Sequence, residues 1–107
     1  MNFPDDENGD VLKRMYESGM DLSKSYDIDF YHIFENRKDA ESMLEVINNI
    51  NHGFDVYVAL EPNNEKWDIC CTVNLIPTHN NITEKEEYFE SFAEKHQGQC
   101  DGWGILH

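Results

Sequence analysis

Phe54-Asp55-Val56-Tyr57-Val58-Ala59-Leu60-Glu61, a turn signal at Pro62-Asn63-Asn64, and then Trp67-Asp68-Ile69-Cys70-Cys71-Thr72-Val73-Asn74-Leu75 decide the fold. Phe54, Val56, Val58 and Leu60 share one parity of the first run; Trp67, Ile69, Cys71, Val73 and Leu75 share one parity of the second. Strand side chains alternate between faces at a period of two, so each run reads as a strand with one face buried. A connection this short joins the two as an antiparallel hairpin. Pro77 ends the second strand.

Upstream, Ala40, Met43, Leu44, Ile47 and Ile50 recur at three and four, predicting a helix from about Arg37 to Asn51 with Gly53 as its stop. Ahead of it, Tyr26 to Phe34 alternates as a strand. Downstream, Thr83-Glu84-Lys85-Glu86 has capping-box spacing and predicts a helix start. That helix carries Tyr88, Phe89, Phe92, Ala93 and His96 on one face and ends near Gly98. The tail from Cys100 is the fourth strand. A first helix follows Asp5-Asp6-Glu7, capped by Asn8 or Asp10, with Val11, Leu12, Met15 and Tyr16 as its stripe and Gly19 as its stop.

The inner order, strand-helix-strand-strand-helix-strand, predicts an α+β ferredoxin-like βαββαβ sandwich. Two helices cover one face of a four-stranded antiparallel sheet, and the first helix is extra. Whether it roofs the other face or packs at an edge is open at the level of sequence. With 107 residues and no repeat or linker, residues 1–107 read as a single domain.

The second sheet face then carries Asp27, Asp29, Tyr31, Asp55, Tyr57, Asp68, Cys70 and Thr72. Tyrosines among acids suit a protein interface or a plain solvated face, and they suit RNA stacking poorly without basic residues alongside. Twenty-two acidic against eight basic residues give a net charge of −14. That charge repels phosphates and anionic membranes, so the expected partner is a protein with a basic surface, with no direct nucleic-acid or membrane binding. The chain has no apolar window near the ~18 residues of a membrane helix, and its N-terminus lacks a signal-peptide pattern. The expected location is the cytoplasm. Cys70, Cys71 and Cys100 are odd in number and lack CxxC spacing, which agrees.

Little in the chain carries chemistry. The five histidines include no i, i+4 pair for a helical metal site; His32 falls mid-strand and His96 on an apolar helical face, each expected to be a satisfied structural residue. Asp27 and Asp29 stand ~7 Å apart on a strand, wide for a single ion. No phosphate loop or nucleophile elbow occurs, and no catalytic residue, cofactor or metal is expected. The tail Cys100-Asp101-Gly102-Trp103-Gly104 offers one alternative, a small enzyme or small-molecule binder built on the thiol and the indole. Nearby acids would keep that thiol protonated. The interface candidates are Asp27, Asp29, Tyr31, Tyr57, Asp68, Asp101 and Trp103.

Trp67-Asp68-Ile69-Cys70-Cys71 and Asp101-Gly102-Trp103-Gly104 resemble the RraB family, regulators of ribonuclease E activity. So do Phe3-Pro4-Asp5-Asp6-x-x-Gly9-Asp10, Pro77-Thr78 and the phrase from Gly19 to Phe30, which are similar to its shorter members. Longer members continue past Asp-Gly-Trp-Gly into an acidic tail, whereas this sequence ends at His107. The resemblance implies a small acidic cytoplasmic protein of ferredoxin-like fold that binds the endonuclease and damps RNA cleavage without catalysis of its own. An immunity-like inhibitor of another basic nuclease would share the same electrostatics.

Overall fold

The computed structural model describes residues 3–50 and 56–105. Its elements run α1 (Glu7–Glu17), β1 (Tyr26–Phe34), α2 (Arg37–Ile50), β2 (Val56–Asn63), β3 (Lys66–Leu75), α3 (His79–Lys95) and β4 (Gln99–Ile105). The sheet has the order β2-β3-β1-β4, and each neighbouring pair is antiparallel. Phe54, Asp55 and the expected stop at Gly53 lie outside the described residues.

One sheet face meets the helices. Ile28, Phe30 and Phe34 of β1 and Ile69, Cys71 and Val73 of β3 pack on Ala40, Met43 and Ile47 of α2 and on Ile82, Phe89 and Ala93 of α3. The period-two pattern of the strands and the three-and-four pattern of the helices meet here, which is why both were readable. α1 packs on α3 and does not roof the opposite face. Its Leu12 joins Met20 and Leu22 in a second cluster against Trp103 and Ile105. The other sheet face therefore carries no helix among the described residues.

Several boundaries differ from expectation, each for a local reason. The α1 cap is Asp6, whose carboxylate accepts from the Gly9 N–H at 2.8 Å, rather than Asn8 or Asp10. Gly9 is buried because the Pro4 carbonyl folds onto it; a Cβ there would lie 1.8 Å from that oxygen. β2 runs through Pro62, and the turn shifts to Asn64-Glu65, with Asn64 at φ 57°. Proline is tolerated because β2 is an edge strand. α3 starts earlier than Thr83, with Thr78 as cap accepting from the Asn81 N–H at 3.0 Å.

The end of α3 divides two jobs between neighbours. Gln97 takes the left-handed conformation at φ 67°, and the Gly98 N–H returns to the Ala93 carbonyl at 2.7 Å. Gly98 itself supplies space, since a Cβ on it would stand 2.4 Å from the Phe34 ring. The turn into β4 is thereby pressed onto the core.

Candidate functional site

The open sheet face is built from cross-strand pairs between β1 and β3. Asp27 stands opposite Asn74, Asp29 opposite Thr72, Tyr31 opposite Cys70, and Ile33 opposite Asp68. Each of the first two acids is held by the polar residue facing it. Asn74 Nδ2 donates to Asp27 Oδ1 at 3.0 Å, and the Thr72 hydroxyl donates to Asp29 Oδ1 at 2.5 Å. The Tyr31 hydroxyl donates to the other Asp29 oxygen at 3.3 Å. These bonds orient the carboxylates on the sheet surface through donors that carry no compensating charge.

Two neighbours respond to that surface. Burial, then the Asp29 charge, raises the Tyr31 phenol above its ordinary value. Burial pushes the Cys70 thiol up to about 11, with Asp29 and Glu61 adding to it, so Cys70 stays a thiol. Glu61 of β2 faces Asp68, and Tyr57 occupies the register position opposite Thr72. Among the described strand residues on this side Lys66 is the only cation, and its ammonium meets Glu35 at 3.2 Å.

A bulge in β4 decides how the tail contributes. Between the pairs Phe30–Trp103 and His32–Cys100, the single residue Tyr31 faces both Asp101 and Gly102. Gly102 sits at φ 94°, where glycine carries no steric penalty. The bulge leaves exposed Asp101 beside Tyr31 and returns Trp103 to the helix side, opposite buried Phe30. The structure thus brings Asp27, Asp29, Tyr31 and Asp68 to one face with Asp101 at its border, gives Tyr57 the register position opposite Thr72, and sets Trp103 apart.

Trp103 instead keys the first helix to the rest. Its indole N–H donates to Asn8 Oδ1 at 2.8 Å, and Asn8 Nδ2 donates to Glu86 Oε1 at 3.0 Å and Thr83 Oγ1 at 3.3 Å. Thr83 and Glu86 are three residues apart on α3 and so share a side of it. Their capping-box spacing serves this contact rather than a helix start. Cys100 donates to Glu86 Oε2 at 3.9 Å, and burial together with the Glu86 and Glu90 charges raises its thiol. An acid beside the thiol is the opposite of what a nucleophile needs.

His32 is a buried residue of the core at 1% exposure, next to Phe89. Burial pushes the imidazole down to about 4, against smaller upward pulls from the Ile69 backbone and the Asp101 charge. Among the described residues no three His, Cys, Asp or Glu side chains converge to hold a metal. No described helix is long and apolar enough to cross a membrane.

The sequence offers Asn8 only as a helix cap and shows neither its long-range role nor the parts played by Asn74 and Thr72. Asn74 was detectable as the polar residue that sits opposite Asp27 once strands are paired. Asn8 had no local signal, because its partners are 75, 78 and 95 positions away.

Among curated proteins, none matches the chain. The family model described as Regulator of ribonuclease activity B matches residues 5–105, which takes in both the open face and the Asn8–Trp103 key, and the chain belongs to the RraB family.

Proposed function

We propose that the protein is a non-catalytic regulator that binds a ribonuclease E-like endonuclease through the open sheet face and lowers its cleavage of RNA. The supporting observation is the charge of that face: Asp27, Asp29, Glu61 and Asp68 lie on it and Asp101 borders it, while Lys66 is already engaged by Glu35. A basic partner surface meets carboxylates there that are oriented by Asn74 and Thr72, with Tyr31 and Tyr57 supplying contact area at low entropic cost. Family membership supports a regulatory role in ribonuclease activity.

The rest of the reading follows from that role. The strand order with α2 and α3 on one side favours a ferredoxin-like scaffold forming one domain over residues 1–107. The protein works in the cytoplasm, needs no cofactor, and engages the enzyme rather than its RNA. Trp103 acts by holding α1 in place and not by contact.

The test is cleavage of a fluorescent RNA by full-length ribonuclease E with this protein added at low ionic strength. The expected result is slower cleavage, relieved in the Asp27→Asn/Asp29→Asn/Asp68→Asn variant. Unchanged cleavage at large molar excess of the protein rules the reading out.

A further inference from the structure

Asn8-Gly9 is the one Asn-Gly pair in the sequence. Such a pair carries a reaction of its own. The Gly9 backbone nitrogen, once deprotonated, attacks the Asn8 side-chain carbonyl carbon, and glycine leaves that approach unhindered because it has no Cβ. The N–Cγ bond forms, the Cγ–Nδ2 bond breaks, and ammonia leaves, taking up a proton equivalent to the one Gly9 lost. Water then opens the resulting five-membered imide at one of its two carbonyls. The product is aspartate or isoaspartate, and no oxidant or reductant is consumed.

The fold restrains both participants. The Gly9 N–H donates to the cap carboxylate of Asp6 at 2.8 Å. The Asn8 carboxamide accepts from the Trp103 indole at 2.8 Å and donates to Glu86 at 3.0 Å and Thr83 at 3.3 Å. Imide closure requires the Asn8 side chain to swing onto its own backbone and that backbone to leave the helical range. These bonds must break first. α1 buries one large apolar side chain, Leu12, whereas α2 buries Met43 and Ile47 and α3 buries Ile82 and Phe89. An element with so few buried apolar contacts opens locally at less than the global cost. Once formed, the product does not rebuild the contact. A carboxylate at position 8 still accepts from Trp103, but the donor to Glu86 is gone and two negative charges meet at the former hydrogen-bond distance. An acid in the first turn of a helix is favourable by itself. That gain is small against a like-charge pair between half-buried positions. Isoaspartate also inserts a methylene into the backbone of the first turn.

We propose that Asn8-Gly9 is a hydrolytic self-modification site gated by the docking of α1, and that its conversion releases the helix from α3 and β4. The docked helix suppresses the reaction, an open helix permits it, and the product disfavours redocking, so the change runs one way. The site is built from α1, α3 and Trp103, apart from the carboxylates of the open sheet face, and does not depend on the endonuclease reading.

The experiment follows peptide maps by mass spectrometry while the full chain is incubated near neutral pH, folded in buffer and unfolded in guanidinium. The expected result is amide-to-acid conversion at Asn8 ahead of every other asparagine. The folded chain should react at least about tenfold more slowly than the unfolded one, since the ratio of rates reads the population with α1 open. Asp6→Ala, which frees the Gly9 N–H, should speed the folded reaction. The Asn8→Asp variant should show faster amide exchange across α1 than Asn8→Ala, and adding Glu86→Gln, which returns a donor, should slow it again. Equal rates in the folded and unfolded chains overturn the proposal, as does conversion spread evenly over the asparagines or none in the unfolded chain. An unaccelerated Asp6→Ala chain, or α1 exchange unchanged by Asn8→Asp, overturns it too. The rate comparison needs only the native sequence and stands whether or not each variant folds.

Discussion

Trp103 on β4 and Asn8 on α1 are 95 residues apart in sequence and joined by one 2.8 Å hydrogen bond. The same Asn8 amide gives its protons to Glu86 and Thr83, so a single side chain ties the first helix to both the last strand and the last helix. Part-buried polar groups of this kind cost more when orphaned than they contribute when paired.

Asn8→Ala should therefore lower stability by about 2 kcal/mol, and Trp103→Phe, which removes the N–H donor and part of the ring packed against both core clusters, by about 1–3 kcal/mol. Urea unfolding of both single variants and the double variant checks this. The double variant should lose less than the sum of the singles, since one shared bond is counted in each.

Gln97 and Gly98 should respond in opposite directions. Gln97→Gly relieves a left-handed backbone and is expected to stabilise by about 0.5–1 kcal/mol. Gly98→Ala drives a Cβ into the Phe34 ring and should cost about 1–3 kcal/mol. Thermal melts of the two variants give the signs directly, and adding Phe34→Leu to Gly98→Ala should reduce the second penalty.

Thr78→Ala should cost about 1 kcal/mol as a lost helix cap. Thr83→Ala should stay within about 0.5 kcal/mol, because that residue is inside α3 and gives up only the long 3.3 Å contact from Asn8. A larger loss at Thr83 than at Thr78 would return the helix start to the capping-box position.

His32 makes stability depend on pH. Its folded-state value, about 4, lies below the ordinary 6.5, so the unfolded chain binds the extra proton between those values. The contribution is fully present above pH 6.5 and is lost as pH falls towards 4, amounting to about 3 kcal/mol across the window. Urea midpoints measured across that window should fall for the native chain and fall less for His32→Leu.

The strands and their buried faces were readable because β1 and β3 alternate strictly through their central parts, from Ile28 to Phe34 and from Ile69 to Val73. The tail was not, because the bulge at Asp101-Gly102 breaks that alternation. By plain counting Asp101 and Trp103 share a face, yet the extra residue sends Trp103 back to the helices and leaves Asp101 beside Tyr31. Thr83 and Glu86 misled for a related reason. A three-residue spacing of polar groups marks a helix start when it caps, and equally a helix side when it receives a long-range donor such as Asn8. Asp27, Asp29 and Asp68 followed from parity alone, but the donors that orient the first two became visible only with the β1–β3 register.

The central claim is that the carboxylates of the open face engage a basic protein. Its most direct measurement is the affinity of full-length ribonuclease E for this protein and for Asp27→Asn/Asp29→Asn, each over a range of salt concentrations. Tight binding at low salt should weaken steeply with ionic strength, and the variant should show both lower affinity and a shallower salt dependence. A variant that binds with unchanged affinity and unchanged salt slope would contradict it.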